Sequence, residues 1–350
     1  MTKPLNPPYS NRGVVITGER EEEELEVLID YLRVSFKTTD VDYIIDNVLH
    51  LKKEYMYHKN AGFYGYRGTY QLDNIKIFYS EPEDNRGTLI ELSGGGCRQF
   101  EVILDTRKIT WFDFLRECIK FGGKFPRLDL SIDDKKTYFK IPYLLKKIES
   151  GELISRFKKI DFVGSMNIKD SEIRGTTIYF GSKKSSEVYF CFYEKNHEQA
   201  DKYNVDVSEF GDWNRYELRF KNDRAYSVVC ELLKYENLET IAKGIVKNYL
   251  RFVEKDSSVN KTYWNTSEFW QQFLKDVERL SIFTKPNDDF YERSKSWYLN
   301  QASATRKMIN LAEDTLGKTD LIDYEENVEL NDKQKHMLKV YISNVVDMIV

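Results

Sequence analysis

The stretch Arg127-Leu128-Asp129-Leu130-Ser131-Ile132-Asp133 decides the fold. Side chains on a strand alternate between two faces. Leu128, Leu130 and Ile132 therefore share one face, and Arg127, Asp129, Ser131 and Asp133 share the other. A helix would scatter the three apolar residues around its circumference, whereas a strand collects them. Three more segments carry this signature. In 88–93 (TLIELS), Ile90 and Leu92 oppose Leu89, Glu91 and Ser93. In 187–195, Val188, Phe190 and Phe192 oppose Tyr189, Cys191, Tyr193 and Lys195. In 214–221 (NRYELRFK), Tyr216, Leu218 and Phe220 oppose Arg215, Glu217 and Arg219. Each strand offers an apolar face to packing helices and keeps a polar one.

The surroundings extend the pattern. Residues 30–37 (DYLRVSFK) read as a strand, followed by a helix over 41–55 behind a Thr38/Thr39 cap. Segments 66–72 and 75–80 form a hairpin around Asp73-Asn74. Gly94-Gly95-Gly96 reads as the turn that closes strand 88–93. Thr110 opens a helix over 111–121 that ends at Gly122-Gly123. A helix at 142–150, a hairpin of 176–181 with 187–195, and a helix from 225 follow; from 238 onward the pattern is helical. Such mixing of helices with hairpins predicts an α+β fold. The expected form is a largely antiparallel central sheet carrying the active site, helices on one face, and a smaller helical C-terminal region. The expected division is an acidic lead-in at 1–26, a sheet domain at 27–252 and helices over 253–350, with polar residues 255–260 at the joint.

Composition narrows the function classes. Of 350 residues, 41% are hydrophobic and 31% charged, enough apolar material for a large core and too much for disorder. A net charge of -4 argues against a nucleic-acid partner when taken whole. Segment by segment, however, residues 31–252 carry a surplus of positive charge, and both flanks are acidic. Cys97, Cys118, Cys191 and Cys230 form no CxxC pair, and His50, His58, His197 and His336 form no cluster. A metal would have to be held by carboxylates. No long apolar run or leader is visible, so a reduced, cytoplasmic protein without membrane contact is expected. Should the four strands share a sheet, Glu91, Asp129, Asp133 and Glu217 would converge as oxygen ligands suited to Mg²⁺ or Mn²⁺. The same alternation is also what any half-exposed strand shows.

The ordered set RLDLSID (127–133), YFG (179–181), FCFYEKN (190–196) and RYELRFK (215–221) resembles the rolling-circle replication initiators of small staphylococcal plasmids. It is more similar still to the related relaxases of Gram-positive integrative and conjugative elements. The likeness spans about residues 25–310, including Trp264, Trp270, Phe273 and Trp297. It implies a metal-dependent enzyme that nicks and rejoins one DNA strand at an origin of replication or transfer. Tyr193 matches the nucleophile and Lys195 its neighbour; Glu91, Asp129 and Glu217 match acidic positions, and Asp133, or Asp134 beside it, fits the pattern. Arg215 and Arg219 would add positive charge for the phosphate. A phenol with pKa ~10 is a poor nucleophile unless its anion is stabilised. Attack would leave a 5′-phosphotyrosine and a 3′-hydroxyl, and rejoining would need no ATP. Implied partners are origin DNA, a helicase, other transfer or replication proteins and, by analogy with the plasmid relatives, a second copy of the chain.

Two rivals stand beside this reading: a metal-independent tyrosine recombinase or topoisomerase, and a non-catalytic origin-binding protein. Lys146-Lys147, Lys158-Lys159, Lys183-Lys184 and Arg98 are candidates for backbone contacts, and Tyr64, Tyr66 and Tyr70 for stacking on bases.

Overall fold

The computed structural model describes residues 25–166, 168, 173–275, 277–282, 295, 298–331, 334, 335 and 338. The lead-in expected at 1–26 falls almost wholly outside these residues, as does Trp297. In chain order the strands are β1 Leu25–Phe36, β2 Tyr57–Lys59, β3 Gly68–Leu72, β4 Ile75–Tyr79, β5 Thr88–Ser93 and β6 Lys124–Asp134. They continue with β7 Leu153–Ser155, β8 Ile160–Met166, β9 Ile173–Phe180, β10 Val188–Glu194, β11 Asn214–Lys221 and β12 Leu250–Phe252. The helices are α1 Val41–Ile44, α2 Gly95–Arg107, α3 Trp111–Lys120, α4 Ile141–Glu149 and α5 Lys195–Tyr203. After them come α6 Asn222–Tyr235, α7 Leu238–Tyr249, α8 Glu268–Leu274, α9 Ser303–Leu316 and α10 Asp320–Asn327.

Ten strands form one sheet in the order β2-β3-β4-β5-β1-β6-β11-β10-β9-β8, and each adjoining pair runs antiparallel. The apolar faces read from the sequence make the core. Leu128, Leu130, Ile132, Tyr216, Leu218, Phe220, Phe190 and Phe192 are buried against the helices. Phe100 of α2, Phe114 of α3, Val228 of α6 and Ile245 of α7 meet them from that side. The α+β expectation holds.

Several local expectations change. The helix over 41–55 ends early: α1 widens into a π turn at Ile45–Leu49, and His50 takes a left-handed conformation (φ 52°) that closes it. Buried Ile44, Ile45, Val48 and Leu49 end the apolar stripe there, leaving the polar residues beyond with nothing to pack. The glycine triplet does more than end a strand. Gly94 (φ 33°) redirects the chain, and Gly95 and Gly96 begin the thirteen-residue helix α2. A side chain at Gly96 would sit 2.5 Å from the carbonyl oxygen of Asn74, so only glycine lets the helix start against the β3–β4 turn.

The compact unit that holds the sheet reaches past the boundary expected after 252. Residues up to Phe283 belong to one compact unit with the sheet, and residues 284–350 form another. Trp270 and Phe273 of α8 are buried in the main core, where Phe273 packs against Tyr138, Phe139 and Tyr216. Each such side chain contributes about 1.5–3 kcal/mol. The irregular aromatic spacing of 264–274 thus marks a buried helix of the sheet domain. Within the C-terminal unit, α9 and α10 contact each other and Arg306 pairs with Glu325 at 2.5 Å. Among the described residues, no helix is long and apolar enough to cross a membrane.

Candidate active site

The polar faces of β10, β11, β6 and β1 adjoin at the middle of the sheet. Register aligns Tyr193 with Arg215 and Asp133, and Cys191 with Glu217 and Ser131. The next row aligns Tyr189, Arg219, Asp129 and Tyr31. Tyr193, Arg215, Glu217, Asp129 and Asp133 are therefore brought together, as expected from strand alternation. Glu91 lies on the same face but on the far side of β1, opposite Arg33.

Tyr193 donates its hydroxyl to Glu217 Oε1 at 2.8 Å. Lys195 Nζ reaches the Tyr193 hydroxyl oxygen at 3.4 Å and also pairs with Glu198. Lys195 does not continue the strand as expected; it opens α5, and its buried stem returns the ammonium to the site. Burial, reinforced by the Glu217 charge, holds the Tyr193 phenol well above its ordinary pKa. Burial also tends to raise Glu217, yet Arg219, the Tyr193 hydrogen bond and Arg215 outweigh it and keep that carboxyl below its usual range. The resting pair is thus a protonated phenol beside an ionised carboxylate. The Cys191 thiol is pushed up to about 12 by burial, so it does not compete as a nucleophile.

Arginines occupy the spaces between the acids. Arg127 grips Asp129 with two bonds of 2.9 and 2.5 Å. Arg219 donates to Glu217 through Nε at 3.0 Å, and that nitrogen lies 3.7 Å from Asp129. Burial nonetheless raises the Asp129 carboxyl to about 6 against the pull of Arg127 and Arg219. Arg215 forms a fork on Asp133, both bonds at 2.6 Å, and approaches Asp30 at 3.3 Å. Trp213 adds a 2.9 Å bond to the same aspartate. Glu91 accepts from Tyr31 at 2.6 Å, Arg33 at 2.8 Å and Tyr64 at 3.1 Å.

This arrangement does not fit the ligand set expected for a divalent ion. Among the described residues, no three His, Cys, Asp or Glu side chains come together to hold a metal. The Arg219 guanidinium stands between Asp129 and Glu217, its Nε 3.7 Å from the first and 3.0 Å from the second. One oxygen on the face is unsatisfied: Ser131 Oγ, wholly buried opposite Glu217, has no hydrogen-bond partner.

Tyr31, Arg33, Asp30, Trp213 and Tyr64 were absent from the expected site. Tyr31 and Arg33 had a readable signal, because they alternate with Leu32, Val34 and Phe36 as the acidic residues do on their own strands. Asp30 enters through a register shift between Ile29 and Tyr31, and Tyr64 through a loop; neither leaves a periodic trace. Two basic candidates prove structural. Lys147 is buried and bonded to Glu254 at 2.8 Å, and Arg98 is buried and paired with Glu101 at 2.7 Å. Asp134 faces away from the site, bonded to Tyr216 at 2.7 Å and to the Thr137 and Tyr138 amides.

Residues 123–324 match the family model described as replication initiation factor, and residues 26–117 match that of the rolling circle replication initiation protein N-terminal domain. The protein named DNA relaxase NicK, from Bacillus subtilis (strain 168), is 56% identical over 347 residues, covering 98% of each chain. The solved rolling circle replication initiator protein from Geobacillus stearothermophilus superposes with a TM-score of 0.63 at 30% identity. That match covers 75% of this chain and 99% of the other.

Proposed function

Since the chain belongs to the family of rolling-circle replication initiators and DNA relaxases, we propose that it nicks and rejoins one strand of an origin, with Tyr193 as nucleophile. The observation that carries this reading is the Tyr193–Glu217 hydrogen bond of 2.8 Å, set among Arg215 and Arg219 of β11 and Lys195 at the start of α5.

The geometry supports a sequence of events. A scissile phosphate is an acceptor for Arg219, the most exposed of the cations touching Glu217 or Tyr193. As Arg219 turns to the phosphate, Glu217 loses the charge that chiefly holds it ionised, and its basicity rises. Tyr193 Oη then attacks phosphorus, its proton passes to Glu217, and the bond to the 3′-oxygen breaks. Lys195 stands within reach of the tyrosine oxygen to offset the developing charge. The departing 3′-oxygen collects a proton and the 5′-phosphate remains on Tyr193. Reversal restores the strand without ATP. Arg215 acts by charge, since Asp133 holds the Nε–Nη2 edge of its guanidinium and Asp30 approaches Nη1; it is a positioning residue.

A divalent ion joins this site only by drawing Asp129 and Glu217 away from Arg219, and nicking assayed in EDTA against Mg²⁺ and Mn²⁺ measures whether that happens. A helicase loading at the nick and a homodimeric state belong to the same proposal; light scattering of the purified chain measures the second. The central test is Tyr193→Phe on a supercoiled origin plasmid. The variant is expected to form no covalent protein–DNA adduct and no nicked circle while melting like the parent. Undiminished nicking would sink the assignment.

A further inference from the structure

We propose that the segment ahead of β3 holds unpaired bases of the origin strand by stacking them on Tyr57, Phe63 and Tyr64. The inference rests on the DNA-binding part of the reading above and names the form of DNA that this face takes.

Tyr57 is 67% exposed, Phe63 69% and Tyr64 54%. These are large apolar rings facing water, yet the loop bearing them is built. Thr69 Oγ1 donates to the Ala61 carbonyl at 2.9 Å, Arg67 to that of Asn60 at 3.3 Å, and Arg86 spans from Asp84 to the Gly65 carbonyl. Tyr64 and Gly65 both have positive φ, 60° and 83°. That conformation is strained for an aromatic residue and persists because the surroundings impose it. It lays the Tyr64 ring 4.1 Å from the Arg33 guanidinium, with the hydroxyl bonded to Arg33 and Glu91. Phe63 rests edge-on against Phe78 and leaves most of its surface open.

These rings are continuous with the candidate active site. Register places Tyr57 opposite Gln71, Gln71 opposite Lys76, Lys76 opposite Glu91, Glu91 opposite Arg33, and Arg33 opposite Arg127. One cross-strand row therefore runs from an exposed aromatic at the sheet edge, past two cations, to the arginine that holds Asp129. At ~4.8 Å per strand it is about 24 Å long. Cations for phosphates beside open ring faces for bases are what a single strand requires. A duplex keeps its base faces covered and has no use for the rings. Of the three tyrosines singled out from sequence, Tyr64 and Tyr66 both rest on Phe78 and Tyr70 stacks with His58, but Tyr66 and Tyr70 are half-buried and Tyr64 alone of the three is exposed.

The test is fluorescence anisotropy with labelled oligothymidylate, which needs neither an origin nor nicking. Phe63→Ala and Tyr57→Ala are each expected to lower affinity roughly 5- to 100-fold. Phe63→Leu, which keeps the apolar contact with Phe78, should lose as much, and Phe63→Trp should retain binding. Affinity for a blunt duplex of equal length should fall less than either, with melting temperatures unshifted. Equal oligothymidylate affinity for parent, Leu, Ala and Trp forms would overturn the inference and assign the rings to a protein partner. Oligothymidylate binding by the parent chain involves no covalent step, so failure of the nicking assignment and failure of the stacking surface are read in separate assays.

Discussion

Tyr193 keeps its proton at rest because its phenol is buried and donates to the ionised carboxylate of Glu217. Two substitutions separate holding the hydroxyl from deprotonating it. Glu217→Gln preserves a hydrogen-bond acceptor but takes no proton, and nicking should fall by ~10²–10⁴ with little loss of DNA affinity. Equal loss of both would give Glu217 a structural role. Arg219→Gln removes the cation that chiefly opposes burial in holding the Glu217 carboxyl down. Its pKa should then rise, and since only the ionised form accepts the tyrosine proton, the acidic limb of the nicking profile should move to higher pH. An unmoved limb would remove Glu217 as the base.

At the scale of elements, helix α2 carries the clearest test of packing. Gly96→Ala drives a methyl into the Asn74 carbonyl and should cost about 1–3 kcal/mol, read by denaturant unfolding. Gly95→Ala meets only the Asn74 side chain at 3.4 Å and should cost far less. Similar losses would show that the glycines matter for conformation alone. The same helix marks a limit of reading sequence. The strands bearing Asp129, Tyr193 and Glu217 were legible because alternation reports which way a side chain faces, and Thr110 announced α3, which it caps together with Asp113. Helix α2 was not, because its start depends on a turn twenty residues earlier. Nor does alternation report what stands between acids on one face. The arginines that separate Asp129, Glu217 and Asp133 were visible as residues, but their pairings depend on cross-strand register, which a single strand does not contain.

For the whole molecule, the packing of α8 makes length the relevant variable. A chain ending at residue 283 should unfold cooperatively like the parent, whereas one ending at 252 should expose the Phe139 and Tyr216 rings and fail to fold. A cooperative transition in the shorter chain, by calorimetry, would return the boundary to 252. The order of strands in the sheet is also an order in time. β1 is synthesised first yet sits between β5 and β6, and Tyr193 on β10 reaches β6 only through β11. Pairings across such separations close late, because the intervening chain must be ordered first. On the ribosome, then, the tyrosine is made before the carboxylate and arginine of β11 that surround it, on a strand not yet joined to β6. A nascent chain interrupted before residue 214 lacks every contact that β11 supplies, so the ability to cut DNA arrives in a single step, near the end of the sheet's synthesis.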